Sequence, residues 1–171
     1  MKKYLALSLA AGGLLLAACG KKDESSAAAP ASAAAATAAA PAAPAVATIE
    51  LTANDSMKFS ATHFEVAAGQ EVKVVFTNMG TMPKVAMGHN FVLLKKGTDL
   101  KAFADAAVAA AATDYVPASK ADQVVAHTKL LGPKQTDEIT FKAPTEPGEY
   151  PFICSFPAHF LSGMKGVIVV K

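Results

Sequence analysis

Residues Tyr150 to Gly166 read YPFICSFPAHFLSGMKG. An apolar run enters from the left and ends at Cys154, and His159 and Met164 follow it as Cys-x4-His-x4-Met. The run reads as a buried strand, and the three residues after it as a short ligand-bearing loop. A thiolate, an imidazole and a thioether held this close suit a soft, redox-active metal, with copper first by ligand softness; hard cations select oxygen donors instead. Taken singly, each residue has a plainer role, since a lone cysteine behaves as a small buried hydrophobe and a lone methionine as core filler. Their common spacing on one loop is what favours a metal.

A second imidazole is required, and His89 in KVAMGHNFVLL is the best supplier. It sits at the mouth of another apolar run, and Gly88 before it allows close backbone approach. Two histidines, one cysteine and a distant methionine form the ligand set of a blue-copper electron-transfer site.

Outward from these two stretches, the chain reads as short strands bounded by turns. Thr48 to Leu51 begins the set, and Lys58-Phe59 and His63 to Val66 follow. In Glu71 to Asn78, Val72, Val74 and Phe76 alternate with Glu71, Lys73 and Val75, the period of a half-buried strand. NMGTMPK is a loop, and Val85 to Leu94 has strand character with His89 inside it. From Asp99 to Thr113, Leu100, Phe103, Ala107 and Ala110 recur at helical spacing, with Thr98 placed to cap the start. Gln123 to Leu131, Asp137 to Phe141, Glu149 to Cys154 and Gly166 to Lys171 read as further strands around a Pro144–Gly148 turn. The expected fold is mainly β, an antiparallel Greek-key sandwich or barrel with one inserted α-helix.

The N-terminus is of another kind. Lys2 and Lys3 precede the apolar run Tyr4 to Ala18, of signal-peptide length and too short to span a bilayer permanently. Residues 1–18 are therefore expected to be a signal peptide. Ser25 to Ala47 consists of Ala, Pro, Ser, Thr and one Val, without charge, and Pro30, Pro41 and Pro44 prevent a long helix. Residues 19–47 are expected to form a disordered tether; some twenty residues extended at about 3.1 Å each reach on the order of 60 Å. Residues 48–171 are of single-domain length.

Charge and cysteine content narrow the function. The chain carries 16 lysines against 14 carboxylates, a net charge of +2. Setting aside Lys2, Lys3, Lys21, Lys22, Asp23 and Glu24 leaves a domain of 12 against 12. It has no arginine and no basic run, so nucleic acid finds no electrostatic footprint. Cys19 and Cys154 are the only cysteines. If Cys19 is modified, Cys154 is left as a single thiol that metal ligation would protect.

At this point MGHNFVLL, VVAHTKLLG and FICSFPAH with GMKG resemble the azurins and auracyanins, members of the cupredoxins, across the whole domain. Leu16-Ala17-Ala18-Cys19 resembles the bacterial lipobox, and with the Ala/Pro-rich tether it resembles the lipid-modified azurins. The resemblance implies one type 1 copper with His89, Cys154 and His159 as equatorial ligands, Met164 as the long axial ligand and the Gly88 carbonyl as a weak fifth. Asn90 and Phe156 are implied as braces of the ligand loop. Cys19 is implied as the acylated residue, and Gly20 after it leans the location to the outer membrane. His159-x4-Met164 is one residue longer than in azurin and matches the auracyanin spacing. The azurin disulfide positions fall near Ala47 and Gln70, its core tryptophan is matched by Phe91, and Asn78 stands where azurins commonly have a pH-responsive histidine.

His127 and His63 are expected on the surface. Met57, Met79, Met82 and Met87 are expected in packing or patch roles. Met87 with Pro157, Ala158, Phe160 and Leu161 forms an expected apolar docking patch beside His159, suited to brief encounters. A one-electron shuttle is the leading function, ahead of a periplasmic copper storage or delivery module. An enzyme is not expected, because the chain offers one ligand set and no second His-rich cluster. Cytochromes, nitrite reductase, a peroxidase or a terminal oxidase are the partners the resemblance implies, with the protein a monomer facing the periplasm or the cell surface.

Overall fold

The computed structural model describes residues 45–171; the expected signal peptide, most of the expected tether and the expected acylation site Cys19 lie outside the described residues. Among the described residues, nine strands form two sheets. One sheet orders Lys58–Phe59 (β2), Ala47–Asn54 (β1), Glu71–Asn78 (β4) and Thr136–Lys142 (β7). The other orders His63–Val66 (β3), Lys165–Val170 (β9), Gly148–Ile153 (β8), Val92–Leu94 (β5) and Val124–His127 (β6).

Alternation decides which faces meet. In β4, Val72, Val74 and Phe76 are wholly buried while their neighbours are not, and Ile49, Leu51 and Ala53 do the same in β1. Phe152 of β8 meets Phe59 at 5.3 Å and Phe91 at 5.1 Å between ring centroids, so one aromatic cluster joins the sheets. Gly166 lies beneath this cluster, because a Cβ there would run into the Phe152 ring and come within 2.6 Å of the Thr62 carbonyl. The Tyr150 hydroxyl donates to the Glu146 carbonyl at 2.8 Å, a tyrosine corner that ties down the turn before β8. Phe91 is wholly buried where a tryptophan would stand in azurins. No disulfide stands near Ala47 and Gln70; the Gln70 amide there donates to the Ala45 carbonyl at 2.7 Å and accepts from the Ala67 N–H.

The fold differs from the sequence reading in four places. First, the sheets are mixed: β1 pairs with β4, and β3 with β9, in parallel. Hairpin-like turn spacing reveals strand length but not which strand becomes a neighbour. Second, Val85 to Leu94 is not one strand. Lys84–Met87 forms a helical turn (α1), His89 makes an isolated bridge to Leu131, and only Val92–Leu94 joins the sheet. Pro83, with φ −55°, presets the helical turn, and four residues are too few for periodicity to register. Third, the inserted helix (α2) spans only Leu100–Ala107, with a 3₁₀ turn at Ala111–Thr113. Asp99 caps it by accepting from the Ala102 N–H at 3.0 Å, whereas the Thr98 hydroxyl donates to the Lys95 carbonyl. Fourth, the strand expected over Gln123 to Leu131 ends at His127, because Leu131 leaves the sheet to bridge His89.

Strand direction places the site. β1, β4 and β8 all run towards one end of the sandwich, where Asn54, Asn78 and Ile153 lie, and β9 starts from that end.

Candidate metal centre

Cys154 is the first residue beyond β8, and the loop from it to Met164 is closed by its own backbone. The Cys154 N–H donates to the Met164 carbonyl at 3.1 Å, the Met164 N–H to the His159 carbonyl at 3.0 Å, and the His159 N–H to the Phe156 carbonyl at 3.1 Å. His89 arrives from the other stretch and exchanges two backbone hydrogen bonds with Leu131, at 3.1 and 2.8 Å. The Asn78 side chain braces this bridge by donating to the Leu131 carbonyl at 3.1 Å and accepting from the Gly80 N–H at 2.8 Å. Gly88 is required by space: a Cβ there would sit 2.7 Å from the Lys84 carbonyl and 2.9 Å from the Leu130 side chain.

The three side chains converge. Cys154 Sγ lies 3.4 Å from His159 Nδ1 and 3.9 Å from His89 Nδ1, and the donor atoms of the trio all fall within 4.8 Å of one another. Cys154 and His89 are wholly buried, His159 is 2% exposed, and the two imidazole centroids stand 4.8 Å apart. Burial pushes the Cys154 thiol up to about 12, against a smaller lowering by the backbone N–H groups of Asn90 and Phe156. Burial also pushes His159 down to about 4, with the nearby His89 charge adding to the effect. His89 is lowered by burial too, opposed by the Asn54 carbonyl and the Asp55 carboxylate. At neutral pH the trio is thus a thiol and two uncharged imidazoles. The neighbour of each Nδ1 is the sulfur itself. Two imidazole nitrogens and one sulfur gathered within 4.8 Å of one another fit a soft metal such as copper.

The Asn90 side chain reaches the start of the ligand loop. Its Oδ1 accepts from the Ser155 N–H at 2.9 Å, and its Nδ2 donates to the Ser155 hydroxyl at 2.9 Å and the Asp114 carbonyl at 2.8 Å. The Phe156 ring lies against His159, with centroids 4.6 Å apart and planes tilted by 40°. Met164 is wholly buried, its backbone bonded to both Cys154 and His159. Gly88 is buried directly before His89. In the patch, Ala158 and Leu161 are exposed, Met87 and Pro157 are half-buried, and Phe160 packs partly inward towards Phe103 and Ile153. His127 is exposed, and His63 is exposed beside Glu65. Met57 packs against the core, while Met79 and Met82 are exposed.

Asp114 and Tyr115 escape the sequence reading. Both are left-handed, with φ 53° and 62°, and the Tyr115 ring meets Phe156 edge-on at 5.0 Å. Asp114 is among the residues that tolerate such backbone, which was the one available signal; nothing local shows that the turn folds back onto the ligand loop. Val85, four residues before His89, is exposed on the α1 turn, which is too short for sequence periodicity to show.

Comparison with known proteins gives concordant matches. The family of copper binding proteins described as plastocyanin/azurin matches residues 45–171. Azurin of Alcaligenes faecalis is 37% identical over 123 residues, covering 70% of this chain and 94% of that protein. Outer membrane protein H.8 of Neisseria meningitidis serogroup B is 42% identical over 120 residues, covering 69% of this chain and 63% of that protein. The structure of auracyanin A, a "blue" copper protein of Chloroflexus aurantiacus, aligns with a TM-score of 0.66 at 33% identity, covering 74% of this chain and 99% of that one.

Proposed function

This chain belongs to the plastocyanin/azurin family of copper-binding proteins, and we propose that it is an electron carrier tethered by lipid to the outer membrane. It is a cupredoxin with one type 1 copper. In our reading His89 Nδ1, Cys154 Sγ and His159 Nδ1 would hold the metal, with the Met164 thioether and the Gly88 carbonyl as weaker ligands. The observation that carries this is the buried convergence of two Nδ1 atoms on one Sγ. Copper supplies a one-electron step between Cu(II) and Cu(I).

The chain's own residues do the rest. Asn90 and the self-bonded loop hold the sulfur and His159 in place, so the ligands need not rearrange when charge changes. The backbone N–H groups of Asn90 and Phe156 face the sulfur and stabilise its thiolate. Burial of His89 excludes water, while the edge of His159 reaches the surface beside Ala158 and Leu161 and offers the electron its exit. The protein carries electrons rather than converting a substrate, and acts as a monomer between partners such as cytochromes, a peroxidase, nitrite reductase or a terminal oxidase. We assign residues 1–18 to a signal peptide, 19–47 to an acylated Cys19 and tether, and 48–171 to the copper domain. The match to a protein named for the outer membrane supports the location.

The test is the visible spectrum of the copper-loaded protein. A strong thiolate-to-copper band in the red is expected, and Cys154→Ser should abolish it; a variant that stays intensely blue would place the thiolate elsewhere.

A further inference from the structure

We propose that the copper end of the domain is a lysine-collared apolar face that docks a redox protein whose cofactor edge is bordered by carboxylates; this rests on the electron-carrier reading above. Four lysines are fixed by contacts at that end. Lys58 Nζ donates to the Ser162 carbonyl inside the ligand loop at 2.7 Å, and Lys165 Nζ stands 5.4 Å over the Phe160 ring. Lys134 Nζ donates to the Met79 carbonyl at 2.6 Å, and Lys84 projects from the turn before His89 to within 3.6 Å of Asp114. Lys129 lies beside them, next to Leu130.

Three carboxylates stand at the same end. Asp55 accepts from the Thr81 N–H and hydroxyl at 2.9 and 2.8 Å and from the Met82 N–H at 3.4 Å. Asp137 accepts from the Lys129 N–H at 2.9 Å, and Asp114 faces Lys84. Hydrogen bonds to N–H and hydroxyl groups leave Asp55 and Asp137 charged, just as carbonyl contacts leave Lys58 and Lys134 charged, so the five lysines named exceed the three carboxylates by two positive charges. With the domain neutral overall, this excess makes it polar along its length, with the positive end at the copper.

Within the collar, Val85 is 88% exposed, Leu161 70%, Met79 50% and Met82 41%. An apolar centre inside a charged rim divides the work of docking. The rim steers and accelerates encounter, and the small dry centre makes the contact brief. A face of this sign repels a basic rim and attracts an acidic one.

The experiment uses the full-length, copper-loaded protein. Its reduced form is oxidised in stopped flow by hexacyanoferrate(III), an anionic probe, and by tris(phenanthroline)cobalt(III), a cationic one. The anionic rate should fall and the cationic rate rise as ionic strength increases. In the variant with Lys58→Glu, Lys134→Glu and Lys165→Glu the salt trends should reverse, with the anionic rate about tenfold lower at low salt. A cytochrome with a lysine-bordered haem edge should react faster with this variant than with the native protein. The corresponding Lys→Gln variant, gentler to the loops, should lie between. The red band reports the copper site separately: if it persists while the rates ignore the sign of probe and variant, the collar proposal is overturned and the electron-carrier reading stands. If the band is absent from the native protein, the reading beneath it fails instead.

Discussion

His159 carries a proton in the unfolded chain below about pH 6.5, its ordinary value, yet in the fold burial holds it near 4. The folded metal-free protein therefore refuses a proton that the unfolded chain accepts. The stability contributed by the neutral imidazole is complete above 6.5 and is lost as pH falls from 6.5 towards 4. The loss is on the order of 2–3 kcal/mol. The urea midpoint of metal-free protein should drop between about pH 7.5 and 4.5, and His159→Gln should flatten that drop; equal slopes in both proteins would acquit the histidine. Met164 calls for a different measurement. An axial thioether tunes a site that equatorial ligands build, so Met164→Gln should keep the red band and lower the reduction potential, because a harder oxygen donor favours Cu(II). His89→Gly should disrupt the band itself. If Met164→Gln alters neither spectrum nor potential, the methionine is not a ligand.

At the scale of elements, the left-handed pair Asp114–Tyr115 stores backbone strain of about 1–3 kcal/mol per residue and packs an aromatic edge against Phe156. We expect this turn to hold the Phe156 ring against His159. Tyr115→Ala should shift and broaden the red band and lower the melting temperature, and Tyr115→Phe should restore both; an unshifted band would reduce the turn to a surface feature. This element was not legible, because its partner lies 41 positions away and no local pattern records the meeting. Strand β4 was legible for the opposite reason: one face is buried along its whole length, so alternation writes the answer into Val72, Val74 and Phe76. The convergence of His89, Cys154 and His159 was legible through chemistry, since the ligand types announced a common site before any contact was known. The α1 turn was hidden by its brevity, and the parallel pairing of β1 with β4 because partner choice is a property of the whole sheet.

For the whole molecule, the lipid prediction is decisive for location. Cys19→Ala should release a soluble, fully blue protein from the membrane fraction, since two or three acyl chains anchor stably where none remain. Retention of that variant in the membrane would move the anchor elsewhere. The direction of β1 adds a mechanical consequence. The strand begins beside Ala45, held by Gln70, and ends at Asn54 on the copper end, in register with β4 from Ala47 against Val72 to Ala53 against Asn78. A partner gripping the copper end and an anchor pulling at Ala45 would stretch the domain along this strand. The load would then fall on the β1–β4 ladder in shear, all rungs together, so tension opposes unzipping one hydrogen bond at a time.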